Sequence, residues 1–257
     1  MAINKNSNVY IITYATVMVV VVAAILATAA MVLKPYQQAN IKKEKQVAIL
    51  SSLGAEQQDY DSFIQALALD AEGEVIESIQ GEDVLNLLAD LKASQEAGTY
   101  PLFVAEDGRV VVPVTGQGLW GPVWGYVALE SDKSTISGIV LDHAGETPGL
   151  GAEIATVKHQ AQYKGKSIFE GDDFVSVTLI KGGTSASSAN FNHEVDGISG
   201  GTKTADGVSA MLQSSLSAYV PYLKGSVKKC CSGVPSESEE SSEENCEENQ
   251  ENIESNE

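Results

Sequence analysis

The longest apolar stretch of the chain lies near its amino terminus. Residues 9–33 contain no charged residue, proline or glycine, and as a helix they would extend over about 37 Å, enough to cross a hydrocarbon layer of about 30 Å. The stretch has no polar face, which disfavours a buried core helix. Ala27-Thr28-Ala29 imitates a signal-peptide cleavage site, but the apolar region exceeds the ~7–15 residues usual there. The pattern predicts one uncleaved transmembrane helix over 9–33, after a short flank at 1–8.

The apolar positions that follow this stretch have helical spacing. Apolar residues recur every three positions before Gly54, so we expect the membrane helix to continue or restart over 41–53. A second apolar face predicts another helix over 83–93. We therefore predict a helical connecting region over 34–99.

The pattern then changes to short runs rich in β-branched residues and separated by Gly, Asp and Ser. These runs predict a meander of strands at 101–106, 109–114, 123–129 and 135–142. A further strand is predicted at 174–181, and a final helix from near Asp206 to near Gly225. Segregated helices and strands predict an α+β fold, with a domain over 100–225 in which helices flank antiparallel strands.

The charge of the chain is concentrated at its carboxyl end. The formal net charge is −19, and residues 234–257 contain ten glutamates and no Lys or Arg. This composition predicts a disordered acidic tail over 226–257, which also contains all three cysteines (Cys230, Cys231 and Cys246). We expect no disulfide or thiolate metal site in the folded part. The acidic balance and the lack of a basic stripe argue against nucleic acid as a partner.

The segment with the most chemical information is Asp196-Gly197-Ile198-Ser199-Gly200-Gly201-Thr202-Lys203-Thr204, directly before the last helix. Its glycines allow close approach of a ligand to the backbone, and the N–H groups of a helix N-terminus attract an anion such as phosphate. The same residue types also form ordinary helix caps. The residues alone leave both interpretations open.

This segment resembles the flavinylation motif of the Nqr and Rnf flavoproteins, in which Asp-Gly precedes Ser/Thr-Gly-Ala-Thr-x-Thr and a flavin transferase attaches FMN through its phosphate to the threonine. The resemblance implies Thr202 as the covalent acceptor, and the matching neighbours are Asp196, Ser199, Gly200, Gly201 and Thr204. Gly201 stands where the family has Ala, so we expect a looser loop that keeps its acceptor hydroxyl.

Two further segments resemble elements of the same family. Gly116-Gln117-Gly118-Leu119-Trp120 is similar to its Gly-x-Gly-Leu-Trp region, and residues 146–151 match its Glu-Thr-Pro-Gly-Leu-Gly loop. A Pro-Gly turn is rigid and could lie against a planar ring. The cofactor-binding residues implied by these two segments are Trp120, Glu146, Thr147, Gly149, Leu150 and Gly151. For Trp120 a core position, and for Glu146 a solvated loop position, are the alternatives.

Lys181 and Gly182 also resemble a family element near the flavin. A cation at Lys181 could stabilise the negative charge that grows on a flavin during reduction. The alternative is an ordinary strand end at the surface.

Together the segments are similar to the family of C subunits of sodium-translocating NADH:quinone reductases, from the anchor to about Leu223. The resemblance implies a membrane-anchored carrier of covalent FMN that relays electrons from an iron–sulfur centre to the flavin of the B subunit during sodium export. It implies that the NADH and quinone sites lie on other subunits, so that this component of a translocase has no complete active site. The implied partners are the B, D and E subunits, with the A and F subunits, and a flavin transferase for maturation.

The family implies an inner-membrane location with the flavin domain on the periplasmic side. The positive charges point the other way, because Lys34, Lys42, Lys43 and Lys45 follow the apolar stretch and Lys5 precedes it. We follow the resemblance, since three motifs carry it.

Three other functions are alternatives. The G subunit of the Rnf complex shares the anchor and the threonine motif, and an anchored surface protein without redox chemistry could bind partners through its acidic tail. A hydrolase has the least support, because the three histidines lack ligand or triad spacing and Ser199 lacks a G-x-S-x-G turn.

Overall fold

A computed structural model of the chain describes residues 8–185 and 188–225. The predicted disordered tail and the three cysteines lie outside these ranges. Helix α1 covers Asn8–Ser52 without a break and contains Pro35. It is long and apolar enough to cross a membrane, and its apolar window is not buried within the chain. Of the two predicted alternatives over 41–53, the helix continues rather than restarts. The residues of α1 that are buried against the body of the protein lie in its last turns and include Ile49 and Leu50.

The described residues contain a six-stranded antiparallel sheet with the order β2-β1-β3-β4-β5-β6. Its strands are β1 Ile64–Leu69, β2 Val75–Gln80, β3 Tyr100–Ala105, β4 Val110–Gln117, β5 Pro122–Leu129 and β6 Ile136–His143. The predicted meander corresponds to β3–β6. The expectation of an α+β fold with antiparallel strands is confirmed.

Strands β1 and β2 correct the prediction of a helical region over 34–99. β1 pairs with β3 along its whole length, from Ile64 opposite Ala105 to Leu69 opposite Tyr100. Its sequence, IQALAL, is poor in β-branched residues, so its strand conformation depends on pairing with β3 more than on local propensity. After the end of α1, the helices of this region are α2 Tyr60–Phe63, α3 Glu82–Leu87 and α4 Leu91–Glu96, with a 3₁₀ turn at Leu88–Asp90. The sheet therefore begins before residue 100, where we placed the start of the domain.

Alternate side chains of the sheet enter two separate cores. One core contains Val112, Val127 and Leu141 and is covered by the long helix α6, Thr202–Ser217. The other contains Val111 and Tyr126 and is covered by the end of α1 and by α3. The sheet thus separates an α6 face from an α1 face.

The last helical segment differs from its prediction at both ends. α6 begins at Thr202 rather than near Asp206, and it stops at Ser217. A separate helix, α7, covers Val220–Lys224 and has Pro221 in its first turn. Proline has no N–H and disfavours the helical conformation in the residue before it, so the chain starts a new helix there.

The chain between β6 and α6 is mostly irregular and forms short elements. These are 3₁₀ turns at Gly151–Ala155, Ala161–Tyr163 and Phe191–His193, helix α5 Val157–Gln160, and strands β7 Phe169–Glu170, β8 Asp173–Phe174, β9 Thr178–Ile180 and β10 Glu194–Asp196. The predicted strand over 174–181 is wrong as one element, because Ser176 has a positive φ of 61° that interrupts it.

Candidate functional site

Three segments that are distant in sequence meet at the carboxylate of Glu146. Oε1 accepts the backbone N–H of Trp120 at 2.8 Å, and Oε2 accepts the Thr204 hydroxyl at 2.6 Å. Glu146 is only 4% exposed, which excludes the solvated loop position considered for it. The β4–β5 loop, the loop after β6 and the first turn of α6 are therefore held together by one side chain.

Two motif glycines enclose this carboxylate. A Cβ atom on Gly118 would lie 2.5 Å from Oε1 of Glu146, and a Cβ on Gly151 would lie 2.5 Å from the Thr204 hydroxyl and collide with Oε2. Any side chain at these positions would displace the hydrogen bonds of Glu146. This gives a packing reason for Gly118, Gly151 and Glu146 to occur together.

The buried carboxylate is stabilised in its ionised form. Burial raises the pKa of Glu146, but the hydrogen bonds from Thr204, Trp120 and Gly121 and the nearby His143 ring outweigh burial and lower the pKa below its usual value. The backbone N–H of Glu146 donates to Nδ1 of His143 at 3.2 Å. The carboxylate is therefore charged at neutral pH.

The N-terminus of α6 is open. Thr202 is the first residue of the helix, Gly201 precedes it, and no side chain caps the helix. Ala205 donates to Gly201 O at 2.9 Å, so the N–H groups of residues 202–204 have no acceptor within the helix. The Thr202 hydroxyl is half-buried and makes no hydrogen bond within 8–185 and 188–225. Free donors and a free hydroxyl at the positive end of a helix suit a phosphate.

Close packing places this helix end against the β4–β5 loop. A Cβ on Gly207 of α6 would collide with the backbone oxygen of Gln117, and a Cβ on Gly116 would lie 2.6 Å from Met211 Cβ. Sequence reasoning missed Gly207, although a glycine inside an amphipathic helix is a signal of close approach. The two glycines bring α6 within backbone contact of the strand end.

Two exposed apolar side chains, Trp120 and Leu150, lie on the loops that Glu146 joins to α6. Trp120 is 70% exposed and Leu150 is 41% exposed, so the core position considered for Trp120 is wrong. A Cβ on Gly200 would lie 2.6 Å from Leu150 Cδ2, which places Leu150 beside the loop that precedes Thr202. Exposed apolar groups next to a few directed polar groups are typical of a ligand site.

The loop that carries Leu150 is a tight turn, as its sequence predicts. Leu150 donates to Thr147 O at 3.1 Å, and Ala152 donates to the same oxygen at 3.2 Å. Gly149 has a φ of 74°, the positive value that the residue after proline adopts in a type II turn and that favours glycine. The turn fixes the direction in which Leu150 leaves the backbone.

Asp196 has a supporting position instead of facing the helix end. Its Oδ1 accepts both the N–H of Thr184 at 2.6 Å and the Thr184 hydroxyl at 2.9 Å. These two bonds are the main reason why the pKa of Asp196 is lowered. Sequence reasoning missed Thr184, which holds the Lys181–Gly182 loop against the motif. Lys181 is exposed on that loop, and Ser199 is exposed beside Gly200.

The glycine at position 201 fits its surroundings. A Cβ there would lie 2.8 Å from Ile198 Cγ2 and 3.2 Å from the backbone nitrogen of Gly151. The space of an alanine methyl is thus largely filled by Ile198, which offsets the looser loop expected from the glycine.

Comparison with known proteins decides the family. Residues 118–217 match the FMN-binding domain. The C subunit of the Na(+)-translocating NADH-quinone reductase of Pseudomonas aeruginosa is 31% identical over 238 residues, which cover 81% of this chain and 91% of that protein. The chain belongs to this family of C subunits. The corresponding C subunit of Haemophilus ducreyi is 32% identical and covers 80% of this chain and 88% of its own length.

Solved structures of the same family share the fold. The C subunit from Parabacteroides distasonis is 39% identical, with a TM-score of 0.67 over 76% of this chain and 98% of that one. NqrC of Shewanella oneidensis is 26% identical, with a TM-score of 0.60 over 73% of this chain and 100% of that one. The resemblance inferred from three motifs is confirmed. As a member of the NqrC family with an FMN-binding domain, the chain is one component of a multi-subunit redox complex.

Proposed function

We propose that this chain carries one FMN as a phosphoester on Thr202 and relays electrons inside a sodium-translocating NADH:quinone reductase. The observation that carries the proposal is the free Thr202 hydroxyl at an uncapped helix end, which Glu146 joins to the loop of the exposed Trp120 and which the exposed Leu150 approaches at Gly200. FMN supplies reversible electron uptake and release when bound. The residues present fit such a group, because the site offers donors for a phosphate and apolar surface for a ring.

The chain's own residues have separate tasks in this proposal. The N–H groups of residues 202–204 hold the phosphate, and Trp120 and Leu150 exclude water from the ring. Lys181 supplies a positive charge near the ring. Glu146 does not contact the FMN in this proposal. It holds the two loops and α6 in their relative positions through its hydrogen bonds to Trp120 and Thr204.

The wider arrangement is proposed from the family. Helix α1 anchors the chain in the inner membrane with the flavin domain on the periplasmic side, where a flavin transferase modifies it. Electrons arrive from an iron–sulfur centre between neighbouring membrane subunits and leave to the flavin of the B subunit, and the D, E, A and F subunits complete the sodium pump. The exposed apolar window of α1 supports the anchor.

The test is the mass of the tryptic peptide from Gly182 to Lys203 after expression with a flavin transferase. We expect a gain of one FMN less one water, located at Thr202 by fragmentation. Thr202→Val should abolish the gain, because only the acceptor hydroxyl is lost. Thr178→Val, which changes an exposed threonine on β9, should keep it. An unmodified wild-type peptide would support the anchored surface protein instead.

A further inference from the structure

A groove lies on the α1 face of the sheet, away from the site at Thr202. Its volume is about 550 Å³, and it is bounded by residues 41–48 of α1, by the helical segment Leu88–Lys92 and by β4–β6. Pro113, Trp124 and Tyr126 form part of its mostly apolar lining. The groove is separated from α6 by the thickness of the sheet, so it has no part in holding FMN.

The height of the groove above the membrane limits what can occupy it. Ile41 is eight residues beyond Leu33, the end of the apolar stretch, or about 12 Å along a helix, and Lys45 is about 18 Å along. Lipid headgroups extend only about 5–8 Å beyond the hydrocarbon on each side. A helix tilt of about 20° lowers these heights by less than a tenth. Lipid phosphates therefore do not reach Lys45, whereas a protein segment leaving the membrane does.

Lys45 is the cation of the groove that has no counter-ion among the described residues. It is half-buried and makes no ion pair or hydrogen bond with the part of the chain that the structure describes. On the same helix, Lys42 pairs with Glu82 at 2.7 Å, and at the opposite wall Lys92 pairs with Glu96 at 3.8 Å. Burial lowers the pKa of Lys45. A desolvated ammonium favours a carboxylate partner.

The acidic residues around the groove do not supply that partner. Asp90 caps α4 by accepting from Ala93 at 3.1 Å, and Asp142 accepts from the N–H of His143 at 2.7 Å. Glu44 is exposed to solvent. Within residues 8–185 and 188–225 no carboxylate pairs with Lys45, which leaves the ammonium open to a carboxylate of another molecule.

We infer that the groove binds an apolar, carboxylate-bearing segment of a neighbouring membrane subunit, with its carboxylate paired to Lys45. The inference rests on the proposed membrane anchoring. The apolar window of α1 is unburied in this chain, and a subunit that packs on α1 inside the bilayer emerges beside the groove, which continues along the same helix. An amphipathic helix that lays its apolar face into a hydrophobic groove is an established recognition mode.

The test is photo-crosslinking in native membranes that contain the assembled complex. p-Benzoylphenylalanine replaces Trp124 in the groove, and the adduct is identified by mass spectrometry. We expect a crosslink to a peptide of another membrane subunit that contains Asp or Glu. Lys45→Glu should reduce the yield about tenfold, because an ion pair becomes a repulsion, and Lys45→Met should reduce it less. Lys43→Glu makes the same charge change at an exposed position of α1 and should leave the yield unchanged.

Any one of four outcomes would overturn the inference: an adduct with lipid, an adduct with a second copy of this chain, no adduct, or a crosslinking yield that Lys45→Glu does not change. The peptide from Gly182 to Lys203 in the same digest reports the proposed function separately. If the peptide carries FMN but no adduct forms, only the inference about the groove is contradicted. If an adduct forms but the peptide is unmodified, only the proposed flavin site is contradicted. FMN loading of the Lys45 variants also shows that they fold.

Discussion

The two faces of the sheet are built on different principles. On the α6 face, Gly116 and Gly207 bring α6 into backbone contact with β4. Glu146 accepts a hydrogen bond from Thr204 in the first turn of the same helix. On the α1 face, the covering helix leaves a groove of about 550 Å³ with the unpaired Lys45 in it. Glycine contacts and a buried hydrogen-bonded carboxylate allow little movement, whereas an unfilled groove can accept another surface. The contrast agrees with the two proposals, in which the α6 face holds the cofactor and the α1 face binds a neighbouring subunit.

The largest effect should come from Gly207→Ala. Alanine favours a helix by about 1 kcal/mol over glycine, but its Cβ would collide with the Gln117 backbone oxygen, which cannot move without shifting the strand. The cost of the collision should exceed the gain in helix propensity. We expect a loss of about 2–3 kcal/mol in the free energy of unfolding, measured by urea titration of the full chain in detergent. Gln213→Ala, at an exposed position of the same helix, should change it by less than about 0.5 kcal/mol. An increase in stability for Gly207→Ala would contradict the close contact.

Glu146→Gln should have the next largest effect. Glutamine keeps the shape but weakens the acceptor for Trp120 or Thr204, so we expect a loss of about 1–2 kcal/mol at pH 7. The pKa of Glu146 is lowered from its ordinary 4.5 in the folded chain, so its contribution is fully present above that value and is lost as the pH falls through the folded pKa. The difference between the two proteins should therefore shrink as the pH falls below 4.5 towards the folded pKa. A difference independent of pH would show that the charge is not involved.

Strands with a clear local pattern can be predicted from this sequence, whereas contacts between residues distant in the chain cannot. β4 and β5 are rich in valine and were predictable from local pattern, whereas β1 becomes a strand by pairing with β3. The burial of Glu146 was beyond local reasoning, because its partners are 26 and 58 residues away. The motif residues were found by resemblance, but only the folded chain shows that Gly118 and Gly151 enclose Glu146 and that Thr184 holds Asp196.

Lys45→Met sharpens the comparison on the other face. Removing a half-buried ammonium without a counter-ion should stabilise the chain in detergent by up to about 1 kcal/mol, after allowance for the water that still reaches it. Burial lowers the pKa of Lys45 below its ordinary 10.5, so the unpaired charge destabilises the fold at lower pH. The gain in the free energy of unfolding from Lys45→Met should therefore decrease as the pH rises from the folded pKa of Lys45 towards 10.5. Lys43→Met is the exposed control, and a loss of stability in Lys45→Met would mean that the ammonium has a partner.

The smallest effect on stability should come from Trp120→Ala, although the effect on the site should be clear. Trp120 is 70% exposed, so its removal should change the free energy of unfolding by less than about 0.5 kcal/mol. If Trp120 covers bound FMN, the flavin fluorescence of the loaded chain should become more accessible to iodide quenching. Trp124→Ala provides a matched control, because Trp124 lies in the groove on the α1 face and should leave quenching unchanged. Quenching in Trp120→Ala that stays at the level of the wild type and of Trp124→Ala would mean that Trp120 does not cover the flavin, whereas an increase in both variants would mean that the two faces are not separated as the packing indicates.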